Sequence, residues 1–358
     1  MQGVLSCHPC IGRYWTEVPT KCACVLQLRL TSRMAPGVYS VFVPPPPTVS
    51  CKAWIIMDAS HTVLAGHNIH QRLQPASVTK VATALVVLRE VEAGRATLGD
   101  LVSVSAMAAR CKRGTHANLR AGDSFTVEDL LFALMLPSGN DAAIALAEHL
   151  GPRFEPSAGR EAPYPSGQFY KGGWAPDSAV GRFLAEMSRA GGSSTCFVSP
   201  HGMGHEDNLT TAGDAARLTQ EAMSFATFRR IVASTSHVGV AKGTRFGNLV
   251  DLKKFKWSNT NALLACDPQF VGVKTGWVPN AHGQAIHSCL ASRYQCSGHA
   301  AAATPYLDVV VLGSVNKPAR FVDTRVLVEW ALRLPLAAAV ATESRDIAKG
   351  VRYVFRNK

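Results

Sequence analysis

A chain of 358 residues with 47% hydrophobic content is long enough to bury a full core, which excludes a disordered polymer, and its length sets a prior of about two domains. The formal charge of +12 suits an anionic partner, but no block of five or six lysines and arginines occurs. A basic soluble enzyme is therefore the plainer reading, a nucleic-acid binder is not expected, and no apolar stretch approaches the roughly 18 residues of a transmembrane helix.

In chain order, residues 1–49 read as an N-terminal extension, with Arg13, Lys21, Arg29 and Arg33 set against the single acid Glu17. The composition fits a targeting or processing segment, although the apolar piece Cys24 to Leu30 is broken by polar residues and makes a poor secretory core. An acid-poor organelle-targeting segment and a misassigned start both stay open. Ten cysteines are scattered along the chain, which is not the dense pattern of a disulfide scaffold and leaves the redox compartment open. Cys7-His8-Pro9-Cys10 and Cys22-Ala23-Cys24 invite a zinc reading, but the Cys-x-Cys half is tighter than the usual knuckle, so no metal site is expected. Pro44 to Pro47 form a stiff spacer that marks a boundary near residue 50.

From there to residue 335 the pattern is that of one folded domain, followed by a tail over 336–358. Ala53 to Asp58 and Thr62 to Gly66 are short apolar runs that predict a β-hairpin. Val78 to Glu92 carries apolar residues at helical spacing, so a helix starts at or just after Ser77. Thr126-x-x-Asp129 caps a second helix that Pro137 ends, a third covers Asp141 to Leu150, and Thr211-x-x-Asp214 caps a fourth running to about Ser224. Strands return at Phe270 to Lys274 and Leu307 to Leu312, and Arg320 to Leu332 closes the domain as a helix. Strands, a block of helices and strands again predict an α+β fold with an antiparallel sheet made by both chain ends.

Three short motifs stand in order: Ser77-Val78-Thr79-Lys80, Ser138-Gly139-Asn140 and Lys274-Thr275-Gly276. Ser-x-x-Lys alone is a common surface pattern. At the start of an apolar helix, however, a spacing of three puts the Lys80 amine on the same face as the Ser77 hydroxyl. A hydroxyl needs an adjacent base to become a nucleophile, and a lysine serves only when burial lowers its pKa. The helix N-terminus adds backbone N–H groups where an oxyanion would develop. Ser138-Gly139-Asn140 falls at a helix-to-helix turn, where ordinary capping is the rival explanation. Lys274-Thr275-Gly276 ends a strand, where the lysine and threonine can meet a carboxylate and the glycine lets a substrate backbone approach.

The combination resembles the penicillin-binding proteins and, among them, the low-molecular-weight D-alanyl-D-alanine carboxypeptidases of peptidase family S11. The resemblance runs from about Ala53 to Leu332 and includes Pro75 to Lys80, Thr126 to Ala147, Phe197 to Gly202, Thr210 to Ala212 and Asn259 to Asn261. It implies a β-lactamase/transpeptidase-like fold, a peptidoglycan stem peptide ending in D-Ala-D-Ala as substrate, β-lactams as inhibitors, no cofactor and an extracytoplasmic location. It also implies roles: Ser77 is acylated, Lys80 activates it, and Ser138 relays protons. Asn140 holds the substrate amide, and Lys274, Thr275 and Arg320 bind the terminal carboxylate. The N–H groups of Ser77 and Trp277 form the oxyanion hole.

Two segments depart from the family pattern. Residues 152–176 read as an insertion rich in Gly, Pro and aromatic residues, and about 282–305 replaces a family strand hairpin with His, Cys and alanines, which leaves strand pairing beside the third motif open. A C-terminal membrane anchor is not expected in 336–358. The rivals are a class A-like β-lactamase, disfavoured by Gly139 where Ser-Asp-Asn is usual, and a non-catalytic muropeptide-binding protein.

Overall fold

Residues 53–57 are apolar without alternation, the pattern of a strand covered on both faces, and they lie in the middle of the main sheet. The computed structural model describes residues 4–6, 24–30, 37–112, 114–155, 174–203, 205–245, 248–279, 286–296, 304–334 and 353–355. In the N-terminal extension β1 (Val4–Ser6), β2 (Cys24–Leu30) and β3 (Gly37–Val43) form an antiparallel sheet of their own. The hairpin β4 (Ala53–Asp58) and β5 (Val63–His67) then leads through a 3₁₀ turn at Ala76–Thr79 into α1 (Lys80–Glu92). Next come β6 (Leu101–Ser103), α2 (Ala106–Arg110), β7 (Ser124–Thr126), α3 (Val127–Met135) and α4 (Asn140–Leu150). The helical block ends with α5 (Ala179–Gly191), α6 (Ala212–Ala222) and α7 (Ala226–Ala233). A long hairpin, β8 (Ser236–Arg245) and β9 (Asn248–Ser258), precedes α8 (Leu263–Cys266). The chain returns to the main sheet as β10 (Phe270–Pro279), β11 (Ile286–Gln295) and β12 (Tyr306–Ser314), then α9 (Ala319–Ala331) and β13 (Tyr353–Phe355).

The six-stranded sheet has the order β10-β11-β12-β4-β5-β13 and is antiparallel except for the β5–β13 pair. Both ends of the chain build it, as the sequence predicts for an α+β fold. Side-chain alternation divides it between two cores. Ala53, Ile55 and Met57 join the core of the helical block, whereas Trp54 and Ile56 face the layer that holds α9. On β12, Val310 and Leu312 go to the first core and Leu307, Val309 and Val311 to the second.

Helix α1 is the axis of the helical block. Residues Lys80 to Leu88 are all buried, so this helix is covered all round by its neighbours α3, α4, α5 and α6. The expected caps are present: Thr126 Oγ1 accepts from the Asp129 N–H and Thr211 Oγ1 from the Asp214 N–H, each at 3.0 Å. The Asp129 carboxylate turns instead to His237 Nε2 at 2.7 Å and the Val240 N–H at 3.2 Å, tying α3 to β8.

Within the segment 282–305, whose pairing the sequence leaves open, the strand β11 is paired on both edges, with a register shift between Ser288 and Leu290. β11 lies between β10 and β12, with Lys274 opposite Ala291 and Ala291 opposite Val310. Its sequence has weak strand propensity, but both edges are paired and its polar groups are bonded: Ser292 donates to Gly272 O at 3.0 Å, and Arg293 makes two 2.7 Å bonds to Asp308. Most of the 152–176 insertion lies outside the described residues, as does most of the tail 336–358. Among the described residues no helix is long and apolar enough to cross a membrane, and no cluster of ligands that would hold a metal is present. Cys7, Cys10 and Cys22 lie outside the described residues.

Candidate active site

The Ser77 hydroxyl sits in the 3₁₀ turn that opens α1, one turn before Lys80, and the Lys80 ammonium nitrogen lies 3.0 Å from Ser77 Oγ. Lys80 is fully buried and also reaches Asn140 Oδ1 at 2.7 Å and the His201 carbonyl at 2.8 Å. Its surroundings supply polar acceptors but no ion pair. Burial therefore dominates and pulls the amine down to about 7 from its ordinary 10.5. An amine titrating there is neutral in half or more of the molecules above pH 7 and can take a proton from the hydroxyl beside it. Ala76, which precedes the serine, holds a left-handed φ of 52°, a conformation costing about 1–3 kcal/mol that the packed turn must support.

The second motif joins α3 to α4 and is held from below. Ser138 has φ 65°, and its carbonyl accepts from Thr115 Oγ1 at 2.6 Å. The Asn140 N–H donates to Thr115 O at 3.0 Å. Next to it Asp141, fully buried, accepts the N–H groups of Ala117 at 2.8 Å, Leu119 at 3.0 Å and Ala142 at 3.0 Å. These bonds satisfy a buried carboxylate and pin the 115–119 loop against the motif. Ser138 Oγ is different: it is buried without a hydrogen-bond partner. An unfilled hydroxyl in a polar site is free to bond an incoming group.

The third motif runs along β10, at the edge of the sheet beside the Ser77 turn. Gly276 permits this contact, because a Cβ there would come within 2.7 Å of Pro75 O, 3.0 Å of Ala76 Cβ and 3.1 Å of Ser77 N. The backbones carrying the Ser77 and Trp277 N–H groups are thus brought together. Lys274 is buried, bonds Thr275 O at 3.0 Å, and is held well below the ordinary lysine range by burial and by Lys80 and Arg320. Thr275 Oγ1 meets Thr260 Oγ1 at 2.7 Å. From α9, Arg320 donates to Gly276 O at 2.8 Å, and burial lowers its guanidinium to about 10. Trp277 stands at the rim with its ring partly open and Lys317 over it.

Every residue named from the sequence for this site, Ser77, Lys80, Ser138, Asn140, Lys274, Thr275, Gly276, Trp277 and Arg320, falls in this one region. Three residues were given no part by the sequence. His201 contributes its backbone carbonyl to Lys80, and its buried ring is held near pKa 3 by desolvation and Lys80, so it stays neutral. Asp141 anchors the second motif, and Thr260 meets the third. A side-chain reading has no access to a carbonyl, but the Phe197 to Gly202 and Asn259 to Asn261 runs already marked two of these loops.

A hydroxyl held on a buried amine pulled down to about 7, near an unpartnered second hydroxyl and two further buried basic side chains on an α+β scaffold, is an arrangement that can carry out serine–lysine acyl transfer. A family model described as D-alanyl-D-alanine carboxypeptidase, peptidase S11, matches residues 40–153. The chain is 29% identical over 294 residues to the D-alanyl-D-alanine carboxypeptidase DacC of Escherichia coli, covering 80% of this chain and 62% of the relative. It is 28% identical over 292 residues to a D-alanyl-D-alanine carboxypeptidase of Streptomyces sp. K15, covering 80% and 89%. The crystal structure of the Streptomyces K15 DD-transpeptidase superposes with a TM-score of 0.64 at 28% identity, over 81% of this chain and all of that one. The penicillin-binding protein 5 of Haemophilus influenzae shares the fold, with a TM-score of 0.60 at 24% identity over 80% of this chain and 72% of that one. The chain is thus similar to the D-alanyl-D-alanine carboxypeptidases of peptidase family S11 and shares its fold with solved penicillin-binding proteins.

Proposed function

We propose that this protein is a serine-type D-Ala-D-Ala carboxypeptidase that removes the terminal D-Ala from peptidoglycan stem peptides. The observation that carries the reading is the bond between the Ser77 hydroxyl and a fully buried Lys80 amine at pKa about 7. Ser77 Oγ attacks the penultimate D-Ala carbonyl while its proton passes to Lys80 Nζ. The oxyanion develops between the N–H groups of Ser77 and Trp277. The C–N bond then breaks, and the proton returns through Ser138 Oγ to the departing D-Ala amine, leaving an acyl ester on Ser77. Water cleaves that ester, with the same groups moving the protons in reverse. Asn140 holds the substrate amide, and Lys274, Thr275 and Arg320 receive the terminal carboxylate.

β-Lactams would acylate the same serine, and an extracytoplasmic site of action follows from this substrate. Incubation with a fluorescent penicillin followed by mass spectrometry tests the assignment. One long-lived adduct is expected on the Ser77 peptide and none on Ser77→Ala. No adduct, or one that survives the substitution, overturns it. Rapid turnover of the penicillin would favour the β-lactamase reading, and peptide binding without D-Ala release the non-catalytic one. The kinship to a protein described as a DD-transpeptidase adds a second acyl acceptor to test, since an amine can replace water. Supplying a glycine-terminated amine acceptor and looking for a new peptide bond in the product distinguishes the two outcomes.

A further inference from the structure

Beside the catalytic groups lies a pair of side chains that this mechanism does not use. β10 is the edge strand of its sheet, and Lys274 and Gly276 share the face toward the Ser77 turn. Trp277, by alternation, lies on the other face, and it is 36% exposed. Lys317, from the loop that leads into α9, places its ammonium 3.8 Å from the centroid of the Trp277 ring. Lys317 is exposed, and among the described residues no acid pairs with it. The register sets Trp277 opposite Ser288 and Ser288 opposite Ser314, so Val315, 60% exposed, is next to the far end of the same row. The end of the sheet nearest Ser77 therefore presents an indole, a methyl-bearing side chain and an unpaired ammonium.

We propose that Trp277 and Lys317 form a subsite for the arm of the acyl donor that precedes the scissile bond, selecting arms that carry a carboxylate. This rests on the reading of Ser77 as the acylated residue. With the terminal carboxylate at Lys274 and Arg320 and the scissile carbonyl between the Ser77 and Trp277 N–H groups, the rest of the donor continues past Trp277. An extended peptide along an open sheet edge sends alternate side chains to each face, so one falls on the face of Trp277. Its methylenes lie against the indole and its carboxylate meets Lys317. The ring holds the ammonium in place before the substrate arrives, which reduces the ordering cost of the contact. The plainer alternative is a surface cation–π pair with no part in recognition, and it predicts no difference between donors.

The test compares diacetyl-Lys-D-Ala-D-Ala, whose arm is neutral, with the derivative in which the lysine side chain carries a succinyl group in place of one acetyl. D-Ala release is measured for the wild type, Lys317→Met and Lys317→Arg. Lys317→Met is expected to lower kcat/KM on the succinyl donor about fivefold, as one exposed ion pair allows, with less than a twofold change on the neutral donor. Lys317→Arg restores the preference, and the preference shrinks with added salt. Equal losses on both donors, or no loss on either, overturn the subsite. Labelling by penicillin is run in parallel: a wild type that is not labelled on Ser77 refutes the underlying reading, whereas a labelled enzyme blind to the succinyl group refutes the subsite alone.

Discussion

Replacing Lys80 with Met isolates the titration on which the proposed chemistry depends. Burial holds this amine at about 7 in the folded protein, against 10.5 for the ordinary side chain. Between those values the unfolded chain binds one proton that the folded chain does not, so the wild type gains stability as pH rises, by about 1.4 kcal/mol per unit. Below pH 7 the full penalty applies, on the order of 5 kcal/mol. Met fills similar space without an amine. Its loss of the bonds to Ser77, Asn140 and His201 is an offset that does not vary with pH in this window. The stability of wild type minus Lys80→Met therefore rises by about 2 kcal/mol between pH 7.5 and 9, while titrations common to both proteins cancel. Urea unfolding at the two pH values and equal ionic strength measures it. A flat difference would place the folded lysine near its ordinary pKa, charged at neutral pH, and would remove it as the base.

Three further outcomes follow from the same geometry. Acylation by a penicillin should accelerate as pH rises through about 7 and then level, as Lys80 loses its proton; stopped-flow rates at constant ionic strength check this, and a flat profile refutes it. Ser138→Ala removes a buried hydroxyl that has no partner, so the melting temperature should stay within the shift of about 1 kcal/mol while D-Ala release falls about a hundredfold or more. Gly276→Ala puts a methyl 2.7 Å from Pro75 O, forcing β10 away from the Ser77 turn; penicillin labelling should slow about a hundredfold in a protein that circular dichroism finds folded.

The hairpin, α1 and the capped helices are legible because each rests on local physics: short apolar runs, helical apolar spacing, and a threonine hydroxyl at a helix start. The strand β11 is not, since Ser288, Cys289, Ala291 and Ser292 have little strand preference and become a strand only by pairing on both edges. The β8–β9 hairpin is also hidden in the sequence. Its alternation is present, with Phe255 and Trp257 buried and Lys254 and Lys256 exposed, but the lysines mask it. Helix α5 is capped by Ser178, whose hydroxyl accepts from the Gly181 N–H, yet its first turn contains a glycine that lowers helix propensity; that glycine is required because a Cβ would strike Ala175 O at 2.1 Å. Within the site, the residues could be named from the motifs, but the separate support that Asp141 gives the second motif depends on the fold of the 115–119 loop.

The electrostatics also link carboxylate recognition to activation of the serine. Lys80, Lys274 and Arg320 are three buried bases that depress one another or lose hydration, and none of them ion-pairs with an acid among the described residues. A proton on Lys80 disfavours one on Lys274, and the reverse holds as well. On the proposed function, a substrate carboxylate at Lys274 and Arg320 would supply the missing negative charge and so favour the charged form of Lys274. The neutral amine is then left to Lys80, because a charged Lys274 disfavours a second proton nearby. The same ligand group that positions the peptide would therefore sort the protons between the two lysines. An acyl donor lacking the carboxylate leaves the cations in competition, which places part of the site's selectivity in the protonation states of its own side chains as well as in its contacts with substrate.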